Sequence, residues 1–152
     1  MKTLGYAQQT YRNIALQGAT PIELVVALYA TAIEDMRCAL AAMQQNDMEM
    51  RARQIGHALI VLQQLQGTLD FERGGSAARQ FEQFYNLVRA KLLEAQIRNS
   101  TDLLREQIRY FSEVRDCWVT AERVLQPTTP SKEPASGSAG EEHLGARIEW
   151  SA

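Results

Sequence analysis

Cysteine and histidine are scarce in this 152-residue chain, which has two of each. Cys38 and Cys117 make no metal-ligand spacing, and neither His57 nor His143 follows a glutamate by three residues, as di-metal centres in helical bundles require. Nor does a plausible histidine stand near a nucleophile to act as its base. The sequence therefore predicts no metal site, no cofactor and no enzymatic activity.

Long apolar runs and an excess of charge are also missing. The longest apolar run near the start, Leu24 to Ala30, is far too short to cross a bilayer. Residues 1–19 lack the apolar centre of a secretory signal. A net charge of −2 argues against broad attraction to nucleic acid or to an anionic membrane. We therefore expect a cytoplasmic protein that neither binds nucleic acid nor inserts into a membrane.

Apolar residues recur at steps of three and four along four stretches, which is the spacing of amphipathic helices. The first stretch carries two neighbouring seams, which implies that this helix has contacts on two sides. The main seam is Ile22, Val26, Tyr29, Ile33, Met36, Leu40 and Met43. The second seam is Val25, Leu28, Ala32, Ala39 and Ala42. The other three stretches run from Met48 to Leu69, from Ser76 to Ala95 and from Leu104 to Leu125.

Capping residues and glycines separate these stretches. Thr20 to Glu23 has the composition of a capping box with proline at the first helical position, and Asp47 is a good cap for the second helix. Gly74-Gly75 is expected to reverse the chain between the second and third helices, with Ser76 as the next cap. Asn99 to Thr101 is expected to end the third helix and to cap the fourth.

Long amphipathic helices joined by short breaks predict an all-α fold, an antiparallel up-down four-helix bundle over residues 20–125. Residues 126–152 hold too few large apolar groups to offset chain entropy, so we expect a disordered C-terminal tail. Residues 1–19 form an N-terminal arm that either covers part of a partner groove or is a frayed terminus. Tyr11 and Ile14 supply apolar side chains on this arm.

His57 leaves one chemical alternative open. Histidine phosphotransfer domains carry their phosphorylated histidine on the second helix of a four-helix bundle, where Lys and Gly usually follow it. Here Ala58 to Val61 follow instead and offer no cation for a phosphoryl group. A structural histidine is the simpler interpretation. A generic helical adaptor is another function that a four-helix bundle leaves open.

Four strings, in order and spaced over about residues 6–125, resemble the FliS family of flagellin-specific export chaperones. They are Tyr11 with Thr20 to Tyr29, Leu69 to Gly75, Leu92 to Asn99, and Val114 to Trp118. Members of that family commonly end soon after the fourth helix, whereas this chain continues to residue 152.

The resemblance implies a cytoplasmic four-helix chaperone without enzymatic activity. Its partner would be the C-terminal segment of flagellin, which it would keep from polymerising early. The loaded chaperone would deliver flagellin to the export gate of the flagellar type III secretion apparatus, and regulatory proteins of the flagellar system would be further partners.

A chaperone of this kind needs an apolar groove that is formed before the partner arrives. We predict that the groove is lined by apolar residues of the first two helices and the following turn, with the arm above it. The predicted partner-binding residues are Tyr11, Ile14, Val25, Leu28, Tyr29, Ala32, Leu62, Leu65, Leu69 and Phe71.

Overall fold

The computed structural model describes residues 20–125, so the predicted arm (1–19) and tail (126–152) lie outside the described residues. The described part is all-α and contains no strand. Its helices are α1 (Pro21–Gln44), α2 (Met48–Gly67), α3 (Phe71–Arg98) and α4 (Thr101–Leu125).

The first helix begins with the predicted capping box. The backbone N–H of Thr20 donates to the Glu23 carboxylate at 2.9 Å, and the N–H of Glu23 donates to the Thr20 hydroxyl at 3.1 Å. Pro21 occupies the first helical position, where its missing N–H costs no hydrogen bond. Asp47 likewise caps α2 by accepting from the N–H of Met50 at 3.1 Å. Both predicted helix starts are confirmed.

The four helices form a ring in which each packs against its neighbours in sequence and α1 also packs against α4. The connections are residues 45–47, 68–70 and 99–100, too short to do more than reverse the chain. The all-α four-helix bundle is therefore confirmed. Thr20, the α2–α3 connection and Leu125 lie at one end, the Thr68 end, while the other two connections lie at the opposite end, the Asn46 end.

The predicted chain reversal at Gly74-Gly75 is wrong in position. The chain reverses at residues 68–70, and Asp70 caps α3 by accepting from the N–H groups of Glu72 and Arg73, each at 3.1 Å. Because Asp70 supplies this cap, the helix starts before the glycines and Ser76 does not begin it. Gly75 instead kinks α3 with φ +52° and ψ −126°, angles that side chains rarely tolerate.

A cluster of aromatic rings fills the bundle on the Thr68 side of its centre. The ring of Tyr29 on α1 stacks on Phe111 of α4 at 4.4 Å between centroids, and its hydroxyl donates to that of Tyr85 on α3 at 2.9 Å. The rings of Phe81 and Trp118 lie 5.3 Å apart and extend the cluster between α3 and α4. Tyr29 therefore contacts side chains of two other helices.

Two glycine substitutions should have opposite effects on stability. Gly75→Ala should lower the free energy of unfolding by about 1–3 kcal/mol, because alanine must adopt a positive φ there. Gly56→Ala should raise it by about 0.5–1 kcal/mol, because a methyl group in the interior of α2 meets no atom within 4 Å and restricts the unfolded chain. Urea unfolding of both variants checks this pair, and a stable Gly75→Ala variant would contradict the strained kink.

Candidate partner-binding surface

Most of the predicted groove residues lie in the core. Six of them are at most 8% exposed, namely Val25, Leu28, Tyr29, Ala32, Leu62 and Leu65. In this conformation they do not line an open groove, and the part that they take in partner binding stays a prediction. The physical reason for their burial is that α1 packs against both α2 and α4, so that both of its seams are used inside the bundle.

The remaining predicted residues divide into two groups. Leu69 is half-buried against the core, and Phe71 is 43% exposed. Both lie at the Thr68 end, where the chain turns into α3. Tyr11 and Ile14 lie outside the described residues. The part that Leu69 and Phe71 take in partner binding stays a prediction.

The exposed apolar surface concentrates on α3. Seven large apolar side chains of the described part are exposed, and four of them belong to this one helix. Leu87 is 54%, Leu93 44% and Ile97 82% exposed, and Phe71 is the fourth. Leu87, Ala90, Leu93 and Ile97 follow one another at steps of three and four, so they share a side of the helix, which we call the α3 face.

Sequence reasoning missed the α3 face, although a signal was present. Leu87, Leu93 and Ile97 fall outside the seam of α3 that packs into the bundle, whose buried members include Val88, Leu92 and Ala95. A helix needs only one seam to lie on a neighbour. Apolar residues beyond that seam, on the side of the helix that meets neither α2 nor α4, indicate a surface available to a partner.

Polar contacts fix α3 while its apolar face stays open. Arg89 donates to Gln66 of α2 at 2.6 Å and to Asn86 at 3.0 Å, and Gln66 in turn donates to Asn86 at 2.8 Å. This network ties α3 to α2 along its flank. The α3 face is therefore presented by a helix that is already anchored, which lowers the conformational cost of binding a partner.

The charged groups near the α3 face are largely paired with one another. Glu94 accepts from Arg98 at 2.6 Å and lies 3.5 Å from the Lys91 ammonium. The Arg98 guanidinium holds the pKa of Glu94 below its usual range. Exposed pairs of this kind contribute little to stability, because solvent screens their charges. They leave the apolar side chains as the main feature of this surface.

His57 is buried and pairs with Asp35 of α1 through its Nδ1 atom. Burial raises the pKa of Asp35 to about 6, and the hydrogen bond with His57 opposes that rise only in part. A phosphotransfer histidine must present a ring nitrogen to a second protein, whereas this ring lies inside the α1–α2 contact. The geometry agrees with a structural histidine.

The described part holds no group of three or more side chains with metal-binding chemistry that could coordinate an ion. None of the helices α1–α4 is long and apolar enough to span a membrane. What residues 20–125 do present is a rigid helical bundle with an unpartnered apolar helix face. Fold and surface together define a helical protein-binding module.

Comparison with known proteins identifies the family. The model of the family described as "Flagellar protein FliS" matches residues 4–124. The chain belongs to the FliS family, which confirms the resemblance seen in its sequence.

The alignments with three named relatives cover most of the length of each relative. The flagellar secretion chaperone FliS of Vibrio cholerae is 29% identical over 72% of this chain and 84% of its own. The flagellar secretion chaperone FliSB of Pseudomonas aeruginosa is 30% identical over 78% of this chain and 94% of its own. The flagellar secretion chaperone FliS of Bacillus subtilis is 30% identical over 73% and 82%. These relatives are chaperones rather than enzymes, in agreement with the prediction.

Replacing a core leucine and an α3 face leucine by aspartate, one at a time, should distinguish a position that the fold requires from one that lies on the surface. Leu65→Asp should lower the free energy of unfolding by more than about 3 kcal/mol, because an unpaired carboxyl would replace a fully buried side chain. Leu87→Asp should lower it by less than about 1 kcal/mol, because that position is exposed. Circular dichroism during urea unfolding measures both, and equal losses would contradict the division between core and surface.

The buried acid should leave a signature in the pH dependence of stability. Folding raises the pKa of Asp35 from 3.8 to about 6, so its stabilising contribution is complete below pH 3.8 and is lost as the pH rises through about 6. Asp35→Asn removes this titration, so the variant should gain stability relative to wild type between about pH 4 and 6. Glu113→Gln, at an exposed position of α4, serves as the control. Parallel pH profiles for wild type and Asp35→Asn would refute the assignment.

Proposed function

We propose that this protein is a cytoplasmic export chaperone that binds the C-terminal segment of flagellin. It would prevent premature polymerisation and deliver flagellin to the export gate of the flagellar type III secretion apparatus. Regulatory proteins of the flagellar system would be further partners. Membership of the FliS family and the names of three flagellar secretion chaperones support this proposal.

The observation that carries the proposal is the exposed apolar surface of the α3 face. Leu87, Leu93 and Ile97 are each between 44% and 82% exposed, on the outer side of a helix that α2 and α4 already hold. Contiguous apolar surface on a folded chain marks a site of association. An export chaperone needs such a surface, because its client must be kept from associating with other copies of itself.

The spacing of the α3 face suggests which form the client takes. Ten residues separate Leu87 from Ile97, which is about 15 Å along a helix axis. An amphipathic client helix of about three turns would cover this length with its own apolar stripe. Because such a helix satisfies its own backbone hydrogen bonds, the chaperone has to supply only apolar contact and a polar rim.

The Thr68 end offers a second apolar group for the same client. Phe71 lies in the first turn of α3, ahead of the kink at Gly75, and remains 43% exposed. Half-buried Leu69 lies next to it in the connection. A client segment longer than one helix could contact both the α3 face and this turn.

Calorimetric titration with a synthetic peptide tests the proposal. The probe is the C-terminal segment of flagellin from the same bacterium, long enough to include a helix of about three turns and the residues that would reach the Thr68 end. Wild type should bind saturably, and Leu87→Asp/Leu93→Asp should weaken binding more than about tenfold, because two client contacts would then meet carboxylates. The matched control, Ala52→Asp/Gln63→Asp, puts the same charge on two exposed positions of α2.

Two outcomes would count against the proposal. Wild type that fails to bind the flagellin peptide while retaining its fold favours the alternative of a generic helical adaptor. Equal weakening by the α3 and α2 variants would show that added charge, and not loss of the α3 face, lowers the affinity.

A further inference from the structure

A cavity of about 280 Å³ opens at the Asn46 end of the bundle. Its walls come from the end of α1, the start of α2 and the end of α3. Met43, Met48 and Ile97 supply the apolar part of the lining, and Met48 is 65% exposed at the rim. Because Ile97 also belongs to the α3 face, the cavity continues that apolar surface around the end of the bundle.

The volume limits what the cavity can hold. It lies near the lower bound of about 300 Å³ for pockets that enclose a whole small molecule. One or two side chains of a bound peptide fit this space better than a cofactor does.

Arg51 gives the cavity its charge. One of its terminal nitrogens donates to the side-chain oxygen of Asn99 at 2.9 Å, which joins the start of α2 to the end of α3. Its Nε atom is buried without a hydrogen-bond partner, and the guanidinium has no ion pair within residues 20–125. Within residues 20–125 the acceptor of this guanidinium is a neutral amide. A carboxylate is favoured over an amide, because it adds Coulomb attraction and can accept two parallel N–H bonds from an arginine.

Asp47, the other charged residue in the lining, does not supply that carboxylate. It caps α2 by accepting the N–H of Met50 at 3.1 Å and therefore lies at the positive end of the helix dipole. Its charge is already compensated locally, whereas that of Arg51 is not. The electrostatic balance of the cavity thus favours an acidic group.

We propose that this cavity anchors a segment of the client that presents an apolar side chain next to a carboxylate. The apolar side chain enters between Met48 and Ile97, and the carboxylate pairs with the guanidinium of Arg51. The inference rests on the proposed function, because it takes the flagellin C-terminal segment as the client. It adds an electrostatic anchor, at the Asn46 end, to the apolar contacts of the α3 face.

Substitution of Arg51 tests the anchor in the same titration. With the flagellin C-terminal peptide, Arg51→Gln should weaken binding about ten- to hundredfold, the effect of losing one hydrogen bond between charged groups. Arg53→Gln is the matched control, because Arg53 lies on the same turn of α2, is exposed and pairs with Glu49 at 3.6 Å outside the cavity. It should leave the affinity within about twofold of wild type.

A series of peptides, each with one Asp or Glu changed to Asn or Gln, identifies the carboxylate. For one member of the series, the penalty of Arg51→Gln should disappear, because the group that Arg51 contacts is already missing. A penalty that persists with every peptide would overturn the pairing. Equal effects of Arg51→Gln and Arg53→Gln would show that general charge attraction, and not a contact in the cavity, explains the loss of affinity. That result would overturn the site.

Met48→Asp supplies a second test. Met48 lines the cavity, lies outside the α3 face and is 65% exposed, so the variant should keep the melting temperature of wild type while binding the peptide more than tenfold more weakly. Gln63→Asp on α2 is its control. Wild-type affinity in both Met48→Asp and Arg51→Gln, with the peptide still bound, would remove the anchor and leave the proposed function intact. Failure of wild type itself to bind would remove both.

Discussion

The contact of Tyr29 with Tyr85 and Phe111 is the interaction on which the rest of the bundle depends. In a ring of four helices, α1 and α3 lie diagonally opposite, and only long side chains can join them across the centre. The hydroxyl of Tyr29 reaches that of Tyr85, while its ring stacks on Phe111 of α4. Burial raises the pKa of Tyr29 to about 12 and that of Tyr85 further still, so both hydroxyls stay neutral and can share a hydrogen bond.

This central contact decides which residues remain for a partner. With α1 packed on two sides and tied across the centre, its apolar residues are used inside the molecule. The buried residues of α2, including Leu62 and Leu65, complete the same core. The apolar surplus of the described part therefore lies on α3, where Leu87, Leu93 and Ile97 point away from the seam that meets the core.

Polar contacts join the helices in the interior, on the flank and at one end of the bundle. Inside, Asp35 and His57 form a buried polar contact between α1 and α2. Such a pair is weak evidence for stability, because desolvation offsets the attraction, but it does restrict how the two helices can slide past each other. On the flank, Arg89 ties α3 to α2. At the Asn46 end, Arg51 holds Asn99 in place and keeps a positive group at the mouth of a cavity.

Local signals in the sequence determined the helices and the family. The capping box at Thr20 and the N-cap at Asp47 depend on side chains and backbone within four residues, so they can be found without the fold. The glycine pair shows the limit of such signals: Gly75 does need a positive φ, but Asp70 begins the helix first and turns the expected reversal into a kink. The division of apolar residues between core and surface was decided only by the tertiary structure. A seam such as that of Leu28 looks the same in sequence whether a neighbouring helix or a client covers it, and only the packing of the four helices decides which one does.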